Sequence, residues 1–176
     1  IVNIHGGEIS SASAGGTSLV NVFGGEFKSQ DGILAFGHGT VNVYDGLFHG
    51  RVDAEGWGTV NIFVGTFEAG VAATDQEGQM HIFGGNIPRL EVGEWCQMTI
   101  YGTGFNYPYG AIPDDAGVLT GVFASGQPIS AEFNMDKTYS EDVSIVLAVP
   151  EPSTLVLATT SAVGMLAFLR RRCRRW

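Results

Sequence analysis

Hydrophobic and polar residues alternate in six short segments of this chain, and the six segments resemble one another. Each runs apolar, polar, apolar, then aromatic or histidine, and reaches glycine within two further positions. The segments begin at residues 2, 20, 41, 60, 80 and 98, which is a spacing of 18 to 21 residues. Alternation at period two that ends at glycine predicts a β-strand followed by a turn.

The repeat predicts an all-β fold. A unit of about 20 residues with two or three short strands and glycine corners is typical of one coil of a β-solenoid. Helical periodicity is absent from residues 1–105, and no proline precedes Pro88, as strands that share ladder hydrogen bonds require. We therefore expect residues 1–105 to form a right-handed parallel β-helix of about six coils.

The alternation also predicts where the repeated side chains point. The first and third positions of each segment should fill the interior, and these are Val2, Ile4, Val20, Val22, Val41, Val43, Val60, Ile62, Met80, Ile82, Met98 and Ile100. Asparagines at the second position should stack along the rod and hydrogen-bond to one another, and these are Asn3, Asn21, Asn42 and Asn61. Corner glycines with positive φ are expected at Gly7, Gly25, Gly46, Gly65 and Gly85. Phenylalanines that turn inward after the corner are expected at Phe27, Phe48, Phe67 and Phe105.

Residues 106–148 break the repeat. Pro108, Pro113 and Pro128 occur there, and two or three further strands are predicted, at residues 117–124, 129–134 and 143–149. An open solenoid end exposes unpaired strand edges, which a cap must cover. We expect these residues to form a β cap.

The C-terminal residues have a different composition. Residues 154–169 form an uncharged apolar run of sixteen residues, and residues 170–176 carry five arginines. A membrane-spanning helix needs about 17–25 such residues, and flanking arginines extend its reach. The pattern predicts a single transmembrane helix with a basic cytoplasmic tail; the alternative is a buried C-terminal helix followed by a basic tail.

Three elements in this order resemble the PEP-CTERM sorting signal of exported bacterial proteins: Val-Pro-Glu-Pro-Ser at residues 149–153, an apolar helix and a terminal arginine cluster. The residues that carry the resemblance are Val149, Pro150, Glu151, Pro152, Ser153, Arg170, Arg171, Arg172, Arg174 and Arg175. The resemblance implies export and recognition of the tail by a membrane protease of the exosortase type. It further implies removal of the tail and delivery of the body to the cell surface or the exopolysaccharide matrix.

Charge separates the body from the tail. The chain has a net charge of −9, but residues 1–152 contain 18 acidic and four basic residues and therefore carry −14. Such a body repels nucleic acid, so that partner is excluded. The two cysteines, Cys96 and Cys173, are predicted to lie on opposite sides of the membrane and not to pair. Because Ile1 already lies inside a repeat unit, we expect a longer precursor with more repeats and an N-terminal signal peptide.

One candidate ligand site is the aromatic column at the fourth repeat position. It contains His5, Phe23, Tyr44, Phe63, Phe83 and Tyr101. If the asparagines face outward, these rings do too, and an exposed row could bind sugar rings or another protein. The alternative is that the rings pack against one another at a corner and serve the fold.

Metal and catalytic patterns are weak. Acidic residues lie in or near turns at Asp31, Asp45, Asp53, Asp75, Asp114 and Asp115. They are scattered, whereas calcium needs six to eight convergent oxygens, so no metal or cofactor is predicted. Glu8 and Glu26 share a repeat position that is not acidic in later repeats, and the histidines show no metal-binding or nucleophile spacing.

These observations predict an exported structural or adhesive protein without enzymatic activity. It is first held in the bacterial inner membrane and then displayed at the surface or in the matrix. The expected partners are the sorting protease, the inner membrane transiently and an exopolysaccharide. The alternative function is a polysaccharide-binding or polysaccharide-processing β-helix whose active groove lies further N-terminal.

Overall fold

About five turns of a parallel β-solenoid make up most of the described part of the computed structural model of this protein, and every helix or strand assigned in that part is a strand. The structure describes residues 1–30, 32–138 and 142–149. Within these ranges there is no helix with the length and hydrophobicity that crossing a bilayer requires. The predicted membrane helix at 154–169, the basic tail and the motif residues after Val149 lie outside the described residues. The right hand of the coil stays a prediction.

Each of the first four turns places one short strand on each of three faces, which we number first, second and third in chain order, and the fifth turn has strands on the first and third faces. The first three turns contain β1 (Val2–Ile4), β2 (Glu8–Ile9), β3 (Ala12–Ala14), β4 (Leu19–Val22), β5 (Glu26–Phe27), β6 (Ile33–Ala35), β7 (Thr40–Val43), β8 (Leu47–Phe48) and β9 (Val52–Glu55). The next two contain β10 (Thr59–Ile62), β11 (Thr66–Phe67), β12 (Val71–Thr74), β13 (Gln79–Ile82) and β14 (Arg89–Val92). The remaining strands are β15 (Gln97–Thr103), β16 (Gly110–Ala111), β17 (Ala116–Phe123), β18 (Pro128–Met135) and β19 (Ser144–Ala148).

The strands of successive turns pair in parallel with equivalent repeat positions aligned. On the first face, Asn3 pairs with Asn21 and Asn42 pairs with Asn61. The second face is a four-stranded sheet, which an isolated bridge between Thr66 and Asn86 extends into the fifth turn. The first and third faces join through the C-terminal strands into one fifteen-stranded sheet.

The interior is filled by the residues that the alternation predicts, with two exceptions at one end. Ten of the twelve are buried: Val20, Val22, Val41, Val43, Val60, Ile62, Met80, Ile82, Met98 and Ile100. The prediction is wrong for Val2, which is 54% exposed, and Ile4 is partly buried against the core. Both lie on β1, which pairs with β4 on one edge of the described sheet. The third face contributes small side chains, since Ala14, Ala35, Ala54 and Ala73 are all fully buried.

The corner after each first-face strand has the predicted backbone conformation. The φ angles are +98° at Gly7, +122° at Gly25, +144° at Gly46, +137° at Gly65 and +116° at Gly85. The phenylalanine that follows then points inward, as predicted: Phe27, Phe48 and Phe67 are fully buried. Phe105 is partly buried against the core.

The sixth segment does not start a sixth turn. It forms β15, which runs through seven residues and ends by pairing with β17, Gly102 opposite Phe123. Two later strands extend the ladders of the rod: β19 pairs in parallel with β15 on the first face, and β18 pairs in parallel with β14 on the third face. Two antiparallel strands complete the cap: β16 pairs with β19, and β17 pairs with both β18 and the end of β15. The predicted cap strands are therefore confirmed with each boundary shifted by one residue, and the cap continues the two long ladders of the rod.

Candidate functional site

An asparagine ladder runs along the first face, as predicted. The Nδ2 of Asn21 donates to Oδ1 of Asn3 at 2.8 Å, Asn42 to Asn21 at 2.9 Å, and Asn61 to Asn42 at 2.8 Å. Each amide in the middle of the ladder donates to the turn before it and accepts from the turn after it. The ladder therefore ties four successive turns together through side chains, in addition to their backbone pairing.

The six rings of the predicted aromatic column stack on one another along the rod, two residues after the positions of the asparagine ladder. Neighbouring centroids are 4.3–5.0 Å apart and the planes differ by 4–8° from His5 to Tyr101. Phe23 is 43% exposed and Tyr44 is 39% exposed, whereas Phe63, Phe83 and Tyr101 are half-buried. The aromatic column thus exists and reaches solvent.

Stacking limits what this aromatic column can bind. Each internal ring has both faces next to a neighbouring ring, so that mainly ring edges reach solvent. A sugar ring packs on an exposed aromatic face, and such faces are free at the ends of a stack but not inside it. The geometry favours the packing interpretation, and ligand binding by Phe23, Tyr44, Phe63, Phe83 and Tyr101 stays a prediction.

A column of alternating charges, which the sequence did not predict, lies on the second face. Lys28 Nζ lies 2.9 Å from an oxygen of Glu8. His49 bridges two turns, because its Nε2 lies 2.9 Å from Glu26 Oε1 and its Nδ1 lies 2.8 Å from Glu68 Oε2. Hydrogen bonds to the Glu26 and Glu68 carboxylates raise the pKa of His49, and the same bond to His49 lowers the pKa of Glu26. An imidazolium that donates through both nitrogens explains both shifts.

A second charge bridge lies on the third face. The Nε of Arg51 donates to Asp53 at 2.8 Å, and its Nη1 donates to Glu91 at 3.0 Å, two turns further along the rod. Arg51 therefore holds two acidic side chains together across the intervening turn. Among the described residues, no group of three His, Cys, Asp or Glu side chains is placed to hold a metal ion, and Asp31 lies outside them.

Acidic side chains gather at the corner between the third and first faces. The pKa of Glu94 is raised, mainly by burial and to a smaller extent by repulsion from the Asp136 and Asp75 carboxylates. Trp95 at this corner is 47% exposed with φ +56°. Cys96, beside it, is a fully buried free thiol whose Sγ lies 3.3 Å from the Glu94 carbonyl oxygen, and burial raises its pKa. A buried thiol of raised pKa is a poor nucleophile, which agrees with its interpretation as a small apolar residue.

The sorting sequence begins where the last strand ends. Ala148 is the final residue of β19 and pairs with Tyr101 on β15, and Val149 follows with 54% of its surface exposed. The first residue of the Val-Pro-Glu-Pro-Ser sequence is therefore attached directly to the cap of the rod.

The fold and its ladders define a rod-like, acidic all-β solenoid whose surface features are repeated from turn to turn. The protein-family model that describes the PEP-CTERM protein-sorting motif matches residues 148–175, so the chain carries this motif there. The motif implies an exported protein whose membrane-anchored precursor is sorted by an exosortase to the cell surface. No curated protein and no solved structure matches the chain.

Proposed function

We propose that the protein is a structural or adhesive component of the bacterial cell surface or extracellular matrix, without catalytic activity of its own. The observation that carries the proposal is the sorting motif attached directly to a ladder-built rod. A rod whose turns are tied by amide, aromatic and charge columns suits display and persistence outside the cell.

The proposed precursor is anchored by one transmembrane helix at residues 154–169. Its arginine cluster lies in the cytoplasm and its body on the outer side of the inner membrane. An exosortase-type protease then recognises Pro150, Glu151 and Pro152 and removes the tail. The acidic body, at −14 over residues 1–152, is released into the exopolysaccharide matrix, which we propose as its surroundings and partner.

The test is to follow the intact mass and membrane fractionation of the protein in its native cell. Replacing Pro150, Glu151 and Pro152 by alanine should leave the uncut precursor in the inner membrane. The control is Pro128→Ala, because Pro128 is exposed and lies in the cap outside the motif. A wild-type form that keeps residues 170–176 in the inner membrane would contradict processing and mean a permanent anchor.

A further inference from the structure

The strand that precedes the sorting motif is held on both edges. Five residues of β19 pair with β15, and its other edge pairs with β16, where Gly110 lies opposite Leu147. Ile145 is fully buried and Leu147 is 2% exposed, so both belong to the core of the cap. Removing β19 from its place would open the first face and expose this core, so residues up to Ala148 are part of the folded body when the tail is still attached.

The distance between this body and the predicted membrane segment is short. Five residues, 149–153, separate the end of β19 from the apolar run that begins at Thr154. Fully extended, five residues reach at most about 18 Å. A small protein domain is about 30 Å across. A membrane protease that cuts within this stretch therefore cannot bind its substrate without touching the cap.

The surface beside the exit of β19 contains a fixed aromatic side chain. Tyr109 precedes β16, and the antiparallel register places it level with Ala148. It is 53% exposed, and its ring packs edge-on against Phe105 at 6.1 Å with an interplanar angle of 80°. The aromatic column also ends here, because the residue that pairs with Tyr101 is an alanine. Tyrosine is one of the three residue types, with tryptophan and arginine, that are enriched among the side chains that contribute most of the binding energy of protein interfaces.

We infer that the folded cap is part of the sorting substrate, and that the membrane protease docks on the cap rim formed by Tyr101, Tyr109 and Val149. The inference rests on the proposed function, since it requires that the tail is cut by such a protease. It adds that the motif is recognised together with a folded surface. The protein is therefore processed after its cap has closed.

The experiment uses the full precursor in its native cell and measures the rate at which the tail is removed. Inserting six Gly and Ser residues between Ala148 and Val149 adds about 20 Å of reach and frees the protease from the cap. Loss of a docking contact should slow cleavage about fivefold or more in this variant and in Tyr109→Ala. Trp57→Ala is the matched control, because Trp57 is 51% exposed but lies at a distant corner.

Combining the two changes separates docking from a simple effect of distance. If the cap rim is the docking surface, Tyr109→Ala should slow cleavage in the native spacing and have no further effect in the insertion variant. Wild-type cleavage rates for either single variant, with an unchanged thermal melt, would overturn the inference. Absence of cleavage in the wild-type precursor would instead overturn the proposed function.

Discussion

Two phenylalanines of the second turn allow burial and ring stacking to be compared directly. Phe27 is fully buried and stacks on one ring, that of Phe48, at 4.8 Å. Phe23 is 43% exposed but stacks on two rings, those of His5 at 5.0 Å and Tyr44 at 4.9 Å. If burial determines stability, Phe27→Ala is the more damaging change; if stacking does, Phe23→Ala is.

The structure predicts that burial dominates. Truncating a core phenylalanine costs about 3–5 kcal/mol, and strands paired on both edges cannot close the cavity, so we expect about 4 kcal/mol for Phe27→Ala. Phe23 has roughly half the burial term, about 1 kcal/mol, plus two stacking contacts of at least about 0.5 kcal/mol each. We therefore expect about 2 kcal/mol for Phe23→Ala.

The assay is urea denaturation of the chain truncated after Val149, followed by far-ultraviolet circular dichroism. Both substitutions lie in the same turn and are of the same type, so that any partial unfolding of the rod affects them alike. Equal losses, or a larger loss for Phe23→Ala, would refute the reasoning and show that the outer aromatic column holds the turns together.

Two further predictions concern the polar columns. Asn42→Ala removes two amide hydrogen bonds and should lower the free energy of unfolding by about 1–2 kcal/mol. Asn3→Ala removes one such bond at an exposed end and should lower it by about half as much. Denaturation midpoints would measure both losses, and equal losses would argue against the ladder. The pKa of His49 is raised above 6.5, its ordinary value in the unfolded chain. The protonated histidine therefore stabilises the fold fully at a pH below 6.5, and this stabilisation is lost as the pH rises through the pKa of the folded state. The melting temperature should therefore fall as the pH rises above 6.5, and His49→Gln, which cannot titrate, should reduce that fall. An unchanged pH profile in the variant would mean that the bridge to Glu26 and Glu68 does not stabilise the rod.

The first face could be predicted from the sequence because one pattern determines it. Apolar residues alternate with asparagine, and the strand ends at glycine, so orientation, register and corner all follow from one repeated segment. The sixth segment shows where this reasoning fails. Its alternation is the same as in the others, but Gly102 and Thr103 continue the strand and pair with β17. Whether a coil follows depends on the residues beyond the segment, which the repeat itself does not contain.

The charge bridges could not be predicted because they depend on spacing between unlike residues. The repeat length varies between 18 and 21 residues, so which side chains share a column on the third face is known only once the loops are placed. On the second face, Glu26 lies six residues after its repeat start, whereas His49 and Glu68 each lie eight residues after theirs. The repeat therefore aligns His49 with Glu68, but it does not show that this histidine bridges both carboxylates at 2.8–2.9 Å. Arg51 reaches Glu91 across a full turn, a contact 40 residues apart in the chain.

The way the cap is built has a consequence for how such a protein can change during evolution. The cap strands β19 and β18 pair with β15 and β14, which belong to the last segments of the rod, and the strands of earlier turns pair with the equivalent strands of neighbouring turns. Tandem duplication or loss of one unit of about 20 residues would lengthen or shorten the rod by about 4.8 Å, the spacing between paired strands. Such a change would alter neither the cap nor the sorting motif, so the length of the rod can vary among descendants while its sorting stays the same.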